Sequence, residues 1–219
     1  HGHIPTVAEP GAYEAKLKAL RGLPTGGTTA LEQLPPSAHP MDVMRTAVSV
    51  LGCLSPEKDD HNHPGARDIA DKLMACLGSV LLYWYHFSHN GKRIHVETDD
   101  DSIGGHFLHL LHGEKPRDSW VRAMHTSLIL YAEHEFNAST FTGRVIAGTG
   151  SDMFSCITGA IGVLRGPNTA APTRWRSRSR NATRIRTRPR PTSVPASRRK
   201  RWSSVSATRS TPSPIPATR

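Results

Sequence analysis

All eighteen acidic residues of this 219-residue chain lie before Arg165, and none lies after it. That boundary excludes one fold for the whole chain. Residues 166–219 carry fourteen Lys and Arg but no Asp, Glu, His, Leu, Met or Phe, and 44 of these 54 positions are Arg, Pro, Ser, Thr or Ala. Such a stretch cannot bury enough apolar surface to offset its conformational entropy, so residues 168–219 are expected to form a disordered basic tail. The part before the boundary holds fourteen basic and eighteen acidic residues, a formal charge of −4 concealed within the whole-chain value of +10. Its length suffices for one hydrophobic core.

In that part, apolar residues recur with the 3.6-residue period and almost never alternate, which predicts an all-α domain. Thr29-Ala30-Leu31-Glu32 has capping-box spacing, and Pro40 is placed to open a helix carrying Met41, Met44, Val48 and Leu51 on one face, with Gly52 as its stop. A longer helix is expected from about Ala66 to Phe87, with Ile69, Leu73, Cys76, Leu77, Val80, Leu81 and Trp84 as its apolar stripe and Asn90-Gly91 as its end. Ser102 precedes a short helix. Another is expected from Asp118 to His134, grouping Val121, Met124, Leu128 and Tyr131, and two Gly-rich helices follow near 139–147 and 153–164. Gly148, Gly150, Gly159 and Gly162 are expected to let those helices approach closely.

The longest apolar run, Val80 to Tyr85, is far shorter than the roughly 20 residues that span a bilayer. The amino end has no secretory signal pattern. It begins with His, so the sequence is expected to start inside a longer chain. Cys53, Cys76 and Cys156 are read as buried, reduced thiols of a cytoplasmic protein.

Of thirteen histidines, His106, His109 and His112 share a helix face and His61-x-His63 forms a pair, but neither group has the ligand framework of a zinc site. They are read as hydrogen-bonded or surface side chains, and no metal is expected. Asp99-Asp100-Asp101 is read as a complement to the positive end of the following helix dipole. Glu133-His134-Glu135-Phe136-Asn137-Ala138-Ser139-Thr140 differs, because it gathers polar groups where one amphipathic helix ends and another starts. A junction of that kind can aim an imidazole and backbone N–H groups at a carboxylate or carbonyl.

The same segment, with Tyr131 before it and Gly166-Pro167 after it, resembles the citrate synthases, most of all their 2-methylcitrate branch. His39-Pro40-Met41-Asp42-Val43-Met44-Arg45, Gly65-Ala66-Arg67-Asp68, Tyr83-Trp84-Tyr85-His86, Ser88-His89-Asn90-Gly91 and Glu97-Thr98-Asp99-Asp100-Asp101-Ser102 are similar to that branch as well. The likeness runs over residues 1–167. It implies part of a large helical domain from an all-α, homodimeric enzyme that condenses an acyl-CoA with oxaloacetate and hydrolyses the thioester. Propionyl-CoA is the implied acyl donor, with acetyl-CoA as the alternative, and no cofactor is implied. His1 to Thr6 is similar to an internal helix end, so an amino-terminal portion is expected to precede it. His134 matches the histidine that binds oxaloacetate in the family.

After Gly166-Pro167 the family continues x-H-G-G-A-N-E, which holds the histidine that hydrogen-bonds the enol. This chain has Asn168-Thr169-Ala170-Ala171-Pro172-Thr173-Arg174 instead, so none of the family's catalytic residues is retained. Regrouping the codons of these seven residues one base earlier permits K-H-G-G-A-N-E. The same shift lets Trp202 to Pro212 read V-V-I-G-F-G-H-P-V-Y-T and Ser213 to Ala217 read I-A-D-P-R, which resemble the family's second catalytic-histidine and carboxylate-binding arginine motifs. One lost base therefore accounts for the tail. The alternative is a genuine arm whose arginines contact phosphates and whose Trp175 and Trp202 stack on bases, giving nonspecific binding to polyanions.

Overall fold

The computed structural model describes residues 6, 9–57, 63–132 and 137–166. Among them every regular element is a helix: α1 (Glu9–Ala19), α2 (Thr25–Glu32), α3 (Pro40–Leu54), α4 (His63–Asn90), α5 (Ile103–His112), α6 (Asp118–Tyr131), α7 (Ala138–Ala147) and α8 (Met153–Val163). The all-α expectation holds, and no described helix is long and apolar enough to cross a membrane. The expected disorder of the tail and its boundary at Pro167 lie outside the described residues.

The stripe predicted on the long helix is the spine of the core. Leu73, Cys76, Val80 and Trp84 of α4 are buried with Val43, Val48 and Leu51 of α3, Leu31 of α2, Leu110 of α5 and Phe154 of α8. Helix α4 meets α1, α2, α3, α5 and α8, whereas α6 packs on α5 alone and α7 on α8 alone. Pro40 occupies the first turn of α3, where its missing N–H has no partner to lose, and the His39 side chain accepts from the Met41 N–H. Gly91 ends α4 at φ 65°.

Four local expectations need correction. Thr29 lies inside α2, and Glu32, its supposed box partner, instead receives Arg93 through two hydrogen bonds of 2.7 and 2.8 Å and Tyr83 Oη at 2.7 Å. These donors, Arg93 first, pull the Glu32 carboxyl down to about 2. Gly52 does not stop α3, which continues to Leu54; an added Cβ there would sit 2.8 Å from the Phe154 Cβ, so the glycine admits α8. Among the four glycines expected to bring helices together, Gly159 does so against Ile146 and Thr142. Among the described residues, a Cβ added to Gly150 or Gly162 would meet nothing within 4 Å, and one at Gly148 only the Arg144 and Val145 carbonyls. Finally, Cys76 and Cys156 are buried free thiols, but Cys53 is exposed near the end of α3.

Helix α6 departs most from the pattern read in its sequence. Val121 and Met124 rest half-buried against Gly105 and Gly104 of α5, but Leu128 and Tyr131 on the same stripe are exposed, Tyr131 by 82%. No residue of this helix is buried.

Candidate active-site junction

Helices α7 and α8, joined by residues 148–152, pack against each other. A Cβ added to Gly143 would lie 3.9 Å from Ala160 Cβ, and Gly159 packs on Thr142 and Ile146. His134, the oxaloacetate-binding candidate, lies outside the described residues, as do its neighbours Glu133, Glu135 and Phe136.

The described residue that follows this segment opens a helix. Asn137 caps α7, its Oδ1 accepting the Thr140 N–H at 2.9 Å. This leaves other first-turn N–H groups at the positive end of the helix dipole, next to the segment that carries His134. The N-A-S-T run that carried the sequence signal is thus a capped helix start.

The second polar cluster is structural. His106, 1% exposed, has Nε2 at 3.0 Å from Ser79 Oγ and Nδ1 at 3.1 Å from Thr98 Oγ1. Thr98 Oγ1 donates to Asp100 Oδ2 at 2.6 Å, and His109 Nδ1 lies 2.8 Å from the same oxygen. Since the Thr98 proton is committed to Asp100, Thr98 accepts from His106 Nδ1–H; burial keeps the ring neutral, so Nε2 is left to accept from the Ser79 hydroxyl, which also lies 3.4 Å from the Val96 carbonyl. Arg21, 1% exposed, donates to the Thr98 and Asp100 carbonyls at 2.6 and 2.7 Å. Burial raises the Asp100 carboxyl, but the bonds from Thr98 and His109 outweigh it and hold the group below its ordinary value.

Asp99-Asp100-Asp101 therefore does more than complement a dipole: Asp100 binds side chains and Asp101 pairs with Lys18 Nζ at 2.6 Å, while Ser102 caps α5 through the Gly105 N–H. His112 stays at the surface beside the Trp120 ring, 5.5 Å between centroids. His61 and the His63 side chain lie outside the described positions. Among the described residues, no group of three or more His, Cys, Asp or Glu is placed to hold a metal ion. A cavity of about 840 Å³ opens beside this cluster, lined by residues such as Lys92, His95, Asp99 and His109. None of its described lining belongs to α7 or α8.

Burial, reinforced by Arg21, depresses His106 to about 4 from an ordinary value of 6.5. The unfolded chain then binds more protons than the folded one between those values, so this residue's contribution is complete above pH 6.5 and declines as pH falls to 4. The loss over that window is expected to be about 3 kcal/mol, and urea midpoints across it should show a slope that His106→Gln removes. Equal slopes in both proteins would contradict the buried neutral imidazole.

Sequence reasoning missed Glu57, Asp42 and Arg165 as partners around α8. Glu57 Oε2 accepts the Met153 N–H at 2.6 Å, and Arg165 Nε donates to Asp42 Oδ2 at 3.1 Å. No local pattern could reveal ties spanning 96 and 123 residues.

Comparison with known proteins matches residues 1–173 to the family described as citrate synthase, C-terminal domain. The chain is 58% identical over 167 residues to a 2-methylcitrate synthase of Shewanella oneidensis, covering 76% of this chain and 44% of that protein. It is 35% identical over 164 residues to a citrate synthase of Deinococcus radiodurans, covering 75% and 43%. Among solved structures, citrate synthase of Thermoplasma acidophilum in ternary complex with carboxymethyl coenzyme A and oxaloacetate superposes with a TM-score of 0.69 at 28% identity over 77% of this chain and 44% of that one. The chain spans less than half the length of these relatives.

Proposed function

The chain belongs to the citrate synthase family, and we propose that it is part of a 2-methylcitrate synthase, which joins propionyl-CoA to oxaloacetate and water, giving 2-methylcitrate and CoA in propionate catabolism. The observation that carries this reading is the 58% identity to the Shewanella oneidensis enzyme of that name. In the reaction a carboxylate takes the α-proton of the thioester, a histidine donates a hydrogen bond to the enol oxygen, and the new carbon nucleophile attacks a ketone polarised by a second histidine. Water then cleaves the thioester and CoA leaves. Only protons and electron pairs move, so the proposal includes no metal or redox cofactor. His134, at the junction before the Asn137-capped α7, binds oxaloacetate.

The complete enzyme works as a cytoplasmic homodimer, a setting that its free thiols suit. Support for pairing comes from unburied apolar side chains on α6 and α7: Ile129, Leu130 and Tyr131 are 63%, 75% and 82% exposed, and Phe141 is 69% exposed. Citrate synthesis from acetyl-CoA is the alternative, favoured by the Deinococcus radiodurans relative.

The tail is out-of-frame translation after the Pro167 codon, so the 219-residue chain is inactive. A reading of another class, polyanion binding by the tail, draws on its fourteen basic and no acidic residues. The test is to sequence the gene across codons 165–169, restore one base, extend the protein at its amino end to the length of its relatives, and measure CoA release. The 219-residue chain should match the blank and the repaired protein should turn over. Turnover by the unrepaired chain, or none by a folded repaired protein, would overturn the reading.

A further inference from the structure

Residues 91–102, between α4 and α5, hold no helix, and among the described residues 93–101 make no backbone–backbone hydrogen bond. A covered backbone carbonyl needs a donor, so side chains have to supply what a neighbouring strand would. They do so with a two-residue period. Ser79 Oγ of α4 lies 3.4 Å from the Val96 carbonyl, and Arg21 donates to the carbonyls of Thr98 at 2.6 Å and Asp100 at 2.7 Å, with that of Ser102 at 3.5 Å. Exposure alternates in the same register: His95, Glu97 and Asp99 are exposed, Val96 is buried, and Thr98 and Asp100 are half-buried. The segment is an extended strap, one edge of which is held by a buried guanidinium in place of a strand.

The middle of the strap closes over His106. Thr98 Oγ1 meets Nδ1 at 3.1 Å and Ser79 Oγ meets Nε2 at 3.0 Å, leaving the residue 1% exposed. A proton arriving at Nε2 makes that atom a donor, so the Ser79 hydroxyl has to turn its hydrogen to the Val96 carbonyl and the new charge stays out of water. Burial opposes that charge most and Arg21 next; Asp100 of the strap favours it, and His109 of α5 opposes it. Helix α4 meets the ring with Ser79 and Gly78, which carry no charge.

Lifting the strap returns the ring to water at a small apolar cost, since among its described residues only Val96 is a buried apolar side chain. Both ends have anchors that acid spares. Arg93 pairs with Glu32 and Lys18 with Asp101, and both carboxyls titrate below their ordinary values.

We propose that residues 94–100 form an acid-released strap: a proton on His106 frees them from α4 and α5 while the core of α2, α3, α4 and α8 stays folded. Lys92, His95 and Asp99 also line the cavity of about 840 Å³, so release opens one wall of that cavity. The uncovered ring titrates near 6.5 and the covered one near 4, so the ratio of open to closed strap rises about a hundredfold between pH 7 and pH 4.

The test is a nuclear magnetic resonance titration of the 219-residue chain with labelled imidazole nitrogens and labelled Ile and Val methyls. As pH falls from 7 to 4, an exchanging second state populated above about 1 in 100 should appear at the Ile94 and Val96 methyls and follow the His106 titration. Val43 and Val48, buried in α3, should show none. In His106→Gln the second state should be no more populated at pH 4 than at pH 7. Absence of a second state at the strap, the same change at Val43 and Val48, or a strap response that persists in His106→Gln would each overturn the proposal. Should His106→Gln not fold, the comparison of strap and core methyls in the parent decides alone.

Discussion

Replacing His134 by alanine in the repaired, full-length protein is expected to raise the oxaloacetate KM about ten- to hundredfold, with a smaller change in the acyl-CoA KM. A hydrogen bond to a charged group contributes about 1.5–3 kcal/mol, which sets that range. The side chain is assigned to binding, so removing it weakens oxaloacetate in the ground state before it alters the chemical step. Steady-state kinetics with each substrate varied in turn provide the check. A variant whose acyl-CoA requirement rose instead would move His134 away from the oxaloacetate site.

The second large effect concerns stability, and it separates two glycines that look alike in the sequence. At Gly52 an added Cβ meets Phe154 at its Cβ and Cγ, 2.8 and 3.0 Å away, atoms that cannot move unless α8 moves. Gly52→Ala is therefore expected to lower stability by about 1–3 kcal/mol despite the better helix propensity of alanine. At Gly159 the nearest atom is the terminal Cδ1 of Ile146, which can rotate aside. Gly159→Ala should then cost much less, with the propensity gain of about 1 kcal/mol offsetting most of the strain. Denaturant midpoints of the two variants give the comparison, and a larger loss at Gly159 would contradict the packing described for α3 and α8.

Helix positions were legible wherever a local signal agreed with the packing. Pro40, Ser102, the Ile69-to-Trp84 stripe and Asn90-Gly91 each mark a feature that the fold retains. Signals failed where the deciding partner is remote. Gly52 reads as a stop until Phe154 of α8 arrives against it, and Thr29 to Glu32 reads as a capping box until Arg93 and Tyr83 claim the glutamate. Helix α1 escaped the periodic pattern because it buries only Leu17 and is held through polar ties, Tyr13 and Lys16 to Asp71, both at 2.7 Å.

Beside the candidate site, the helix start at the N-A-S-T run was legible because a helix boundary is a local device, and Asn137 caps α7 there; His134 itself lies outside the described residues. The packing of α7 on α8 was not, since a sequence records helix faces and not which helices lie together. The stripe on α6 misled for a related reason. Leu128 and Tyr131 have core-like spacing but nothing covers them among the described residues, so amphipathicity alone did not say what the apolar face meets.

The most direct measurement offers the repaired, full-length enzyme equal concentrations of propionyl-CoA and acetyl-CoA with oxaloacetate and determines the product ratio. One methylene in an apolar pocket is worth about 1–3 kcal/mol, so the acyl chain it was shaped for should prevail about tenfold or more. The account predicts an excess of 2-methylcitrate. An excess of citrate would contradict it and assign the chain to an acetyl-CoA enzyme of the same family.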